Sequence, residues 1–215
     1  MSILFFHDVL CAWCYALTPR VHRLVEELKE EGTTIQLEHR SFALAPNPDS
    51  IAQMFGSPQA GKQEILHHWE AANRNDDAHR IRADIEATRD FPYPYSTPAL
   101  LACQAAEILG GEEGHGRYFD RVQYAHLTEC EDVTDEAVLL RCAAECGFDR
   151  DTFAQAMRSP EARQRLEADL AEASAYGIQA VPSLVINHQY LLQGAQPYDQ
   201  LKRAFEQIRR KQVTP

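Results

Sequence analysis

No apolar run in this 215-residue chain approaches the roughly 20 residues needed to cross a bilayer, so no membrane-spanning helix is expected. No basic segment precedes the first apolar run, Ile3-Leu4-Phe5-Phe6, and His7 and Asp8 cut that run short. The pattern of a secretory leader is missing, and a cytoplasmic address is the expectation. Basic residues are scarce too: 21 Lys and Arg face 32 Asp and Glu, for a formal net charge of −11. That balance argues against a nucleic-acid backbone and against an anionic membrane surface as partners. A second Cys-x-x-Cys is also missing, which argues against a four-cysteine zinc cage. A chain of this length buries enough core to fold without disulfide staples. In a reducing compartment most of its six cysteines should stay thiols, and any persistent disulfide should be catalytic or redox-sensing.

The one Cys-x-x-Cys present, Cys11-Ala12-Trp13-Cys14, lies directly after the first apolar run and before a helix-like stretch. A cysteine at a helix start meets unpaired backbone N–H groups and the positive end of the macrodipole, which favour thiolate over thiol. Cys11 is therefore the expected nucleophile. Cys14, one turn later and deeper, is the expected resolving thiol. The same spacing serves half a zinc site, but no matching half occurs, so thiol–disulfide exchange is preferred over metal binding. Trp13 offers either an apolar shelf for substrate or simple packing. Asp8 is placed to cap the loop or to relay the Cys14 proton.

The first forty-odd residues read as strand, helix, strand. Ser2 to Val9 is apolar and extended, Pro19 to Glu31 carries helical periodicity through Val21, Leu24, Val25 and Leu28, and Thr33 to Phe42 alternates. Pro19 should kink a helix that begins at the cysteines. Strand, helix and strand in this order favour a parallel βαβ unit. Ala45-Pro46-Asn47-Pro48-Asp49 breaks the pattern, and helices are expected over 59–75, 97–109, 116–128, 135–146 and 150–158, with 76–90 unassigned. Ser159-Pro160 caps a further helix that stops at Gly177. Ser183–Ile186 and Tyr190–Leu192 form a hairpin, and 200–210 is a closing amphipathic helix.

A βαβ and αββα core with Cys-x-x-Cys at its first helix resembles the thioredoxin fold, and the helical stretch between the halves resembles the DsbA-like superfamily. Tyr176-Gly177-Ile178-Gln179-Ala180-Val181-Pro182-Ser183 is similar to that family's segment around its cis-proline, and Gly194-Ala195-Gln196 also matches. The cytoplasmic FrnE-type branch is the nearest likeness. The resemblance implies an α/β fold: a thioredoxin-like domain from 1–45 and 159–215, with a helical insertion domain at 46–158. It implies a thiol–disulfide oxidoreductase or isomerase acting on protein or small-molecule thiols and disulfides. No organic cofactor or metal is expected, and glutathione or a thioredoxin-type protein would serve as redox partner. It further implies a cis Val181-Pro182 peptide beside Cys11, with the Val181 backbone presented to substrate. Ala-Trp is neither the Gly-Pro of thioredoxins nor the Pro-His of strongly oxidising DsbA proteins, and the wider fold spans about −270 to −120 mV. The inserted-helix plan also resembles hydroxychromene-carboxylate isomerases and kappa-class transferases, which use serine where Cys11 stands.

Cys142 and Cys146 share a helix face with Val138, and three readings stand for them: small core hydrophobes, a second redox pair encouraged by the FrnE-type resemblance, or metal ligands with His126 and Cys130 in a non-enzymatic responsive protein. Cβ atoms four apart on a helix lie about 5–6 Å from each other, against about 3.8 Å in a disulfide, so a bond there needs a frayed helix end such as Gly147 allows. Cys103 reads as packing. His7, His67 and His68 read as surface or satisfied core residues. The apolar helix stripes fit packing within the chain or against a second copy equally well.

Overall fold

The structure, a computed structural model, describes residues 1–213. Strand β1 (Ser2–His7) is buried from Ile3 onward, because it lies inside a four-stranded sheet of order β2-β1-β3-β4. It pairs in parallel with β2 (Gln36–Ser41) and antiparallel with β3 (Ser183–Ile186), which pairs antiparallel with β4 (Tyr190–Gln193). The strand period of two divides β1 between two cores. Ile3 and Phe5 face the large cluster, while Leu4 and Phe6 pack with Ala173, Ile178 and Val185 in a small one. The turn into β4 holds Asn187 and His188 at φ 51° and 56°, the left-handed geometry a tight hairpin needs.

Helix α1 (Ala12–Glu30) begins at the cysteines and runs through Pro19, so the periodic stretch that starts at Pro19 is the second half of a longer helix. Proline has no N–H to give the Tyr15 carbonyl four residues back. Arg80 Nη2 supplies the missing donor at 2.9 Å, and the helix continues.

Between the sheet halves lie α2 (Ser50–Phe55), α3 (Pro58–Asn75), the single turn α4 (Ala83–Glu86), α5 (Ser96–Leu127), α6 (Glu136–Glu145) and α7 (Arg150–Met157). Neither α2 nor α4 was expected, as both are too short to show periodicity. The two helices expected over 97–109 and 116–128 are arms of α5 that meet at Gly111, whose φ of 63° and ψ of −163° break the helix. Side-chain caps from Asp135, Asp149 and Ser159 start α6, α7 and α8 (Pro160–Ala175), and α9 (Tyr198–Val213) ends the described chain. The α/β thioredoxin architecture with a helical insertion is thus the observed fold. The large core is continuous across it: Phe5 of β1, Trp69 of α3, Phe119 of α5, Phe153 of α7 and Phe205 of α9 belong to one cluster.

Candidate active site

Asp8 follows β1 and organises the loop that presents Cys11. Its Oδ1 accepts from the Leu10 N–H at 3.0 Å, and its Oδ2 accepts from the Leu44 N–H at 2.7 Å and the Ser96 hydroxyl at 2.6 Å. With three donors committed to it, this carboxylate is a loop cap. Burial raises the Asp8 pKa to about 6 against the pull of those hydrogen bonds. Gln123 of α5 donates to the Asp8 and Cys11 carbonyls, both at 3.3 Å. Side chains of the insertion therefore hold the loop from below.

Cys11 is the N-cap of α1, in extended backbone, and its Sγ accepts the Cys14 N–H at 3.1 Å. A helix amide aimed at sulfur stabilises negative charge there. Cys14 is in a different situation. It is fully buried, and burial together with the neighbouring Cys11 sulfur pushes its thiol well above the ordinary range. The two sulfurs thus differ in their surroundings, although both cysteines are buried, Cys11 at 5% and Cys14 at 0% exposure. The Val181-Pro182 peptide is cis, and the Val181 carbonyl lies 3.5 Å from Cys11 Sγ. The Pro182 carbonyl accepts from the Gly194 N–H at 2.8 Å, which fixes the segment to the end of β4. Trp13 is half-buried and packs against the large core while leaving part of its surface at the loop. Cys11, Cys14, Val181 and Pro182 thus meet at one place.

The other candidates lie elsewhere. Cys142 is buried in α6, where burial pushes its thiol up to about 11. Cys146 is the C-cap of α6; its Sγ lies 3.6 Å from the Arg117 carbonyl and lines a surface cleft. Both are free thiols. The four-residue metal set of His126, Cys130, Cys142 and Cys146 does not assemble. His126 packs edge-on against Trp69 and meets the Tyr93 hydroxyl at 3.2 Å, and Cys130 Sγ points to the Arg82 carbonyl at 3.2 Å. These two side chains are already occupied by tertiary partners that helix spacing does not reveal. Cys103 is buried packing, and His67 and His68 are exposed on α3 beside Glu64. His7 is not a surface group: it is buried with His39 and His115. Ser96 and Gln123 were not anticipated either, since nothing in their local sequence marks them as partners of a distant loop.

A ClpXP adapter protein SpxH from Shouchella clausii is 26% identical over 187 residues. The alignment takes in 86% of this chain, which spans 57% of that relative's length. The cytosolic disulfide reductase DsbM from Pseudomonas aeruginosa superimposes with a TM-score of 0.74 at 19% identity, covering 99% of this chain and 100% of the other. Its GSH-containing structure gives 0.69 at 20% identity, over 97% and 100% of the two chains. A 2-hydroxychromene-2-carboxylate isomerase shares the fold as well, with a TM-score of 0.69 at 17% identity over 99% and 98% of the two chains. Residues 2–206 match the model of the DSBA-like thioredoxin domain, and the chain belongs to that family.

Proposed function

We propose that the protein is a thiol–disulfide oxidoreductase whose reactive groups are Cys11 and Cys14. The observation that carries this reading is the asymmetry of the pair: Cys11 Sγ sits at the helix N-cap with an amide donor and the Val181 carbonyl beside it, whereas Cys14 is buried as a thiol. Cys11 thiolate attacks one sulfur of a partner disulfide. The partner S–S bond breaks, its other sulfur leaves as thiolate and takes up a proton, and a mixed disulfide joins partner to Cys11. Cys14 then loses its proton and attacks the Cys11 sulfur, expelling the partner's second thiol. Two electrons have passed from the dithiol to the partner, and the reverse sequence oxidises a dithiol. Val181 offers backbone groups to an extended peptide or a small thiol, and Trp13 an apolar surface beside it.

The fold also hosts an isomerase, so architecture does not select the reaction. The intact cysteine pair favours disulfide exchange over isomerisation of that kind. The partner class is protein or low-molecular-weight thiols, in keeping with the GSH in the DsbM structure and with the FrnE-type, cytoplasmic reading of the sequence. Cys11→Ser is expected to abolish reduction of a test disulfide, and Cys14→Ser to accumulate a mixed disulfide visible by mass spectrometry. Native turnover in Cys11→Ser would end this reading. Equilibration with a glutathione buffer sets the direction: a potential near about −270 mV marks a reductase, and one near about −120 mV an oxidant.

A further inference from the structure

His7 of β1, His39 of β2 and His115 of α5 come together on the face of the sheet that α5 covers. They are 0%, 3% and 0% exposed. Their ring centroids form a nearly equilateral triangle with sides of 5.2, 5.0 and 5.4 Å, and each offers one ligand atom such that all three lie within 4.8 Å of one another. No other group of three His, Cys, Asp or Glu side chains among the described residues is so gathered.

The hydrogen bonding of this cluster is incomplete. His115 Nδ1 lies 2.9 Å from Glu107 Oε2. An ionised carboxylate only accepts, so Nδ1 carries the proton, and His115 Nε2 is left without a partner. His7 Nε2 and His39 Nδ1 are 3.1 Å apart, and His7 Nδ1 is likewise without a partner. Buried polar nitrogens without partners are costly. A carboxylate–imidazole pair with the far nitrogen turned inward is the arrangement that orients histidine toward a metal.

The cluster has an approach from solvent. His39 and Gly116 line an open cleft of about 1190 Å³ whose wall bears six carboxylates, among them Glu38, Glu112 and Asp120, against Lys29, Arg117 and Arg121. Five of the six are ion-paired, Glu38 and Glu112 with Arg40 and Glu145 with Arg121 and Arg141 among them, so the cleft offers a route to His39 rather than an attracting field. Gly116 is needed for the close approach, since a Cβ there would lie 2.8 Å from His39 Nε2.

We propose that His7, His39 and His115 bind a divalent transition-metal ion that reaches them through this cleft. Three imidazoles suit Zn²⁺ and its first-row neighbours and leave a fourth position open. A Zn–N bond of about 2.1 Å sets the nitrogens roughly 3.4 Å apart, so the rings draw inward by under about 1 Å each. The ion links the two parallel strands to α5 directly beneath the loop that starts at Asp8. It is a site separate from the thiol pair.

The test uses the full chain after treatment with iodoacetamide to alkylate its reactive thiols, titrated with Co²⁺ and then with Zn²⁺. The expected result is one Co²⁺ per chain, ligand-field absorption without a thiolate charge-transfer band, and displacement by Zn²⁺. His115→Gln should lose the binding, and Glu107→Gln should weaken it about 10- to 100-fold. Failure of the folded wild-type chain to take up Co²⁺ overturns the proposal. So does uptake that always brings the thiolate band, or equal affinity in both variants. If circular dichroism shows that His115→Gln does not fold, Glu107→Gln decides alone, because its carboxylate lies at the rim of the core.

Discussion

Asp8 shows how one buried carboxylate shapes the reactive loop. Two backbone amides and a hydroxyl converge on it from three segments: its own loop, the stretch after β2 and the start of α5. Asparagine keeps the shape but turns an N–H₂ group toward at least one of those donors. Asp8→Asn should therefore destabilise the protein by about 1–3 kcal/mol at pH 8, the cost of a buried donor left unmade, read from the urea midpoint. An unchanged midpoint would mean that the loop repacks without these bonds. Cys11 and Cys14 were legible in the sequence because they form a short local pattern, and Pro182 through the family resemblance. The partners that position them were not, since Gln123 and Ser96 act across more than 80 residues of chain.

Among the elements, α5 carries the most positional information. Its first arm begins at Ser96, which binds Asp8, and its second brings His115, Phe119 and Gln123 to the sheet and the loop. The change of direction between the arms rests on Gly111, whose φ of 63° and ψ of −163° fall in a region that is nearly glycine-only. Gly111→Ala should cost about 1–3 kcal/mol in urea unfolding; a neutral result would mean that the arms can join as an ordinary helix. The sequence pattern marks both arms but not their relation, because periodicity reports a buried face and not what covers it. The start of α1 at the cysteines was legible, with Pro19 inside the helix; the compensating donor, Arg80, was not, because it lies in a distant segment.

At the scale of the whole molecule, the insertion and the sheet share one core, and that core holds a carboxyl group with no hydrogen bond. Glu86 is fully buried, with Lys62 Nζ 3.7 Å from its Oε1. Burial raises its pKa to about 7, against Lys62 and Arg89 and with Asp132 adding to the rise. A carboxyl group whose pKa is raised on folding stabilises the protein most below its unfolded value, and that contribution is lost as pH rises through the folded value. For Glu86 the loss falls between about pH 4.5 and 7. Glu86→Gln removes it, so the melting temperature of the variant relative to wild type should rise from pH 5 to pH 8. A constant difference across that range would show that Glu86 does not titrate there.

The sequence by itself determined the order of the strands and of the longer helical stretches, the α/β class and the Cys-x-x-Cys pair, because apolar period, caps and Cys-x-x-Cys spacing act over a few residues. It also placed Val181-Pro182, through a resemblance that spans the chain. Only the tertiary structure decided which side chains meet. It separated His126 and Cys130 from Cys142 and Cys146, and it joined His7, His39 and His115. The physical reason is that contacts between distant segments depend on how sheet faces and helix arms pack together, and no local pattern of residues encodes that packing.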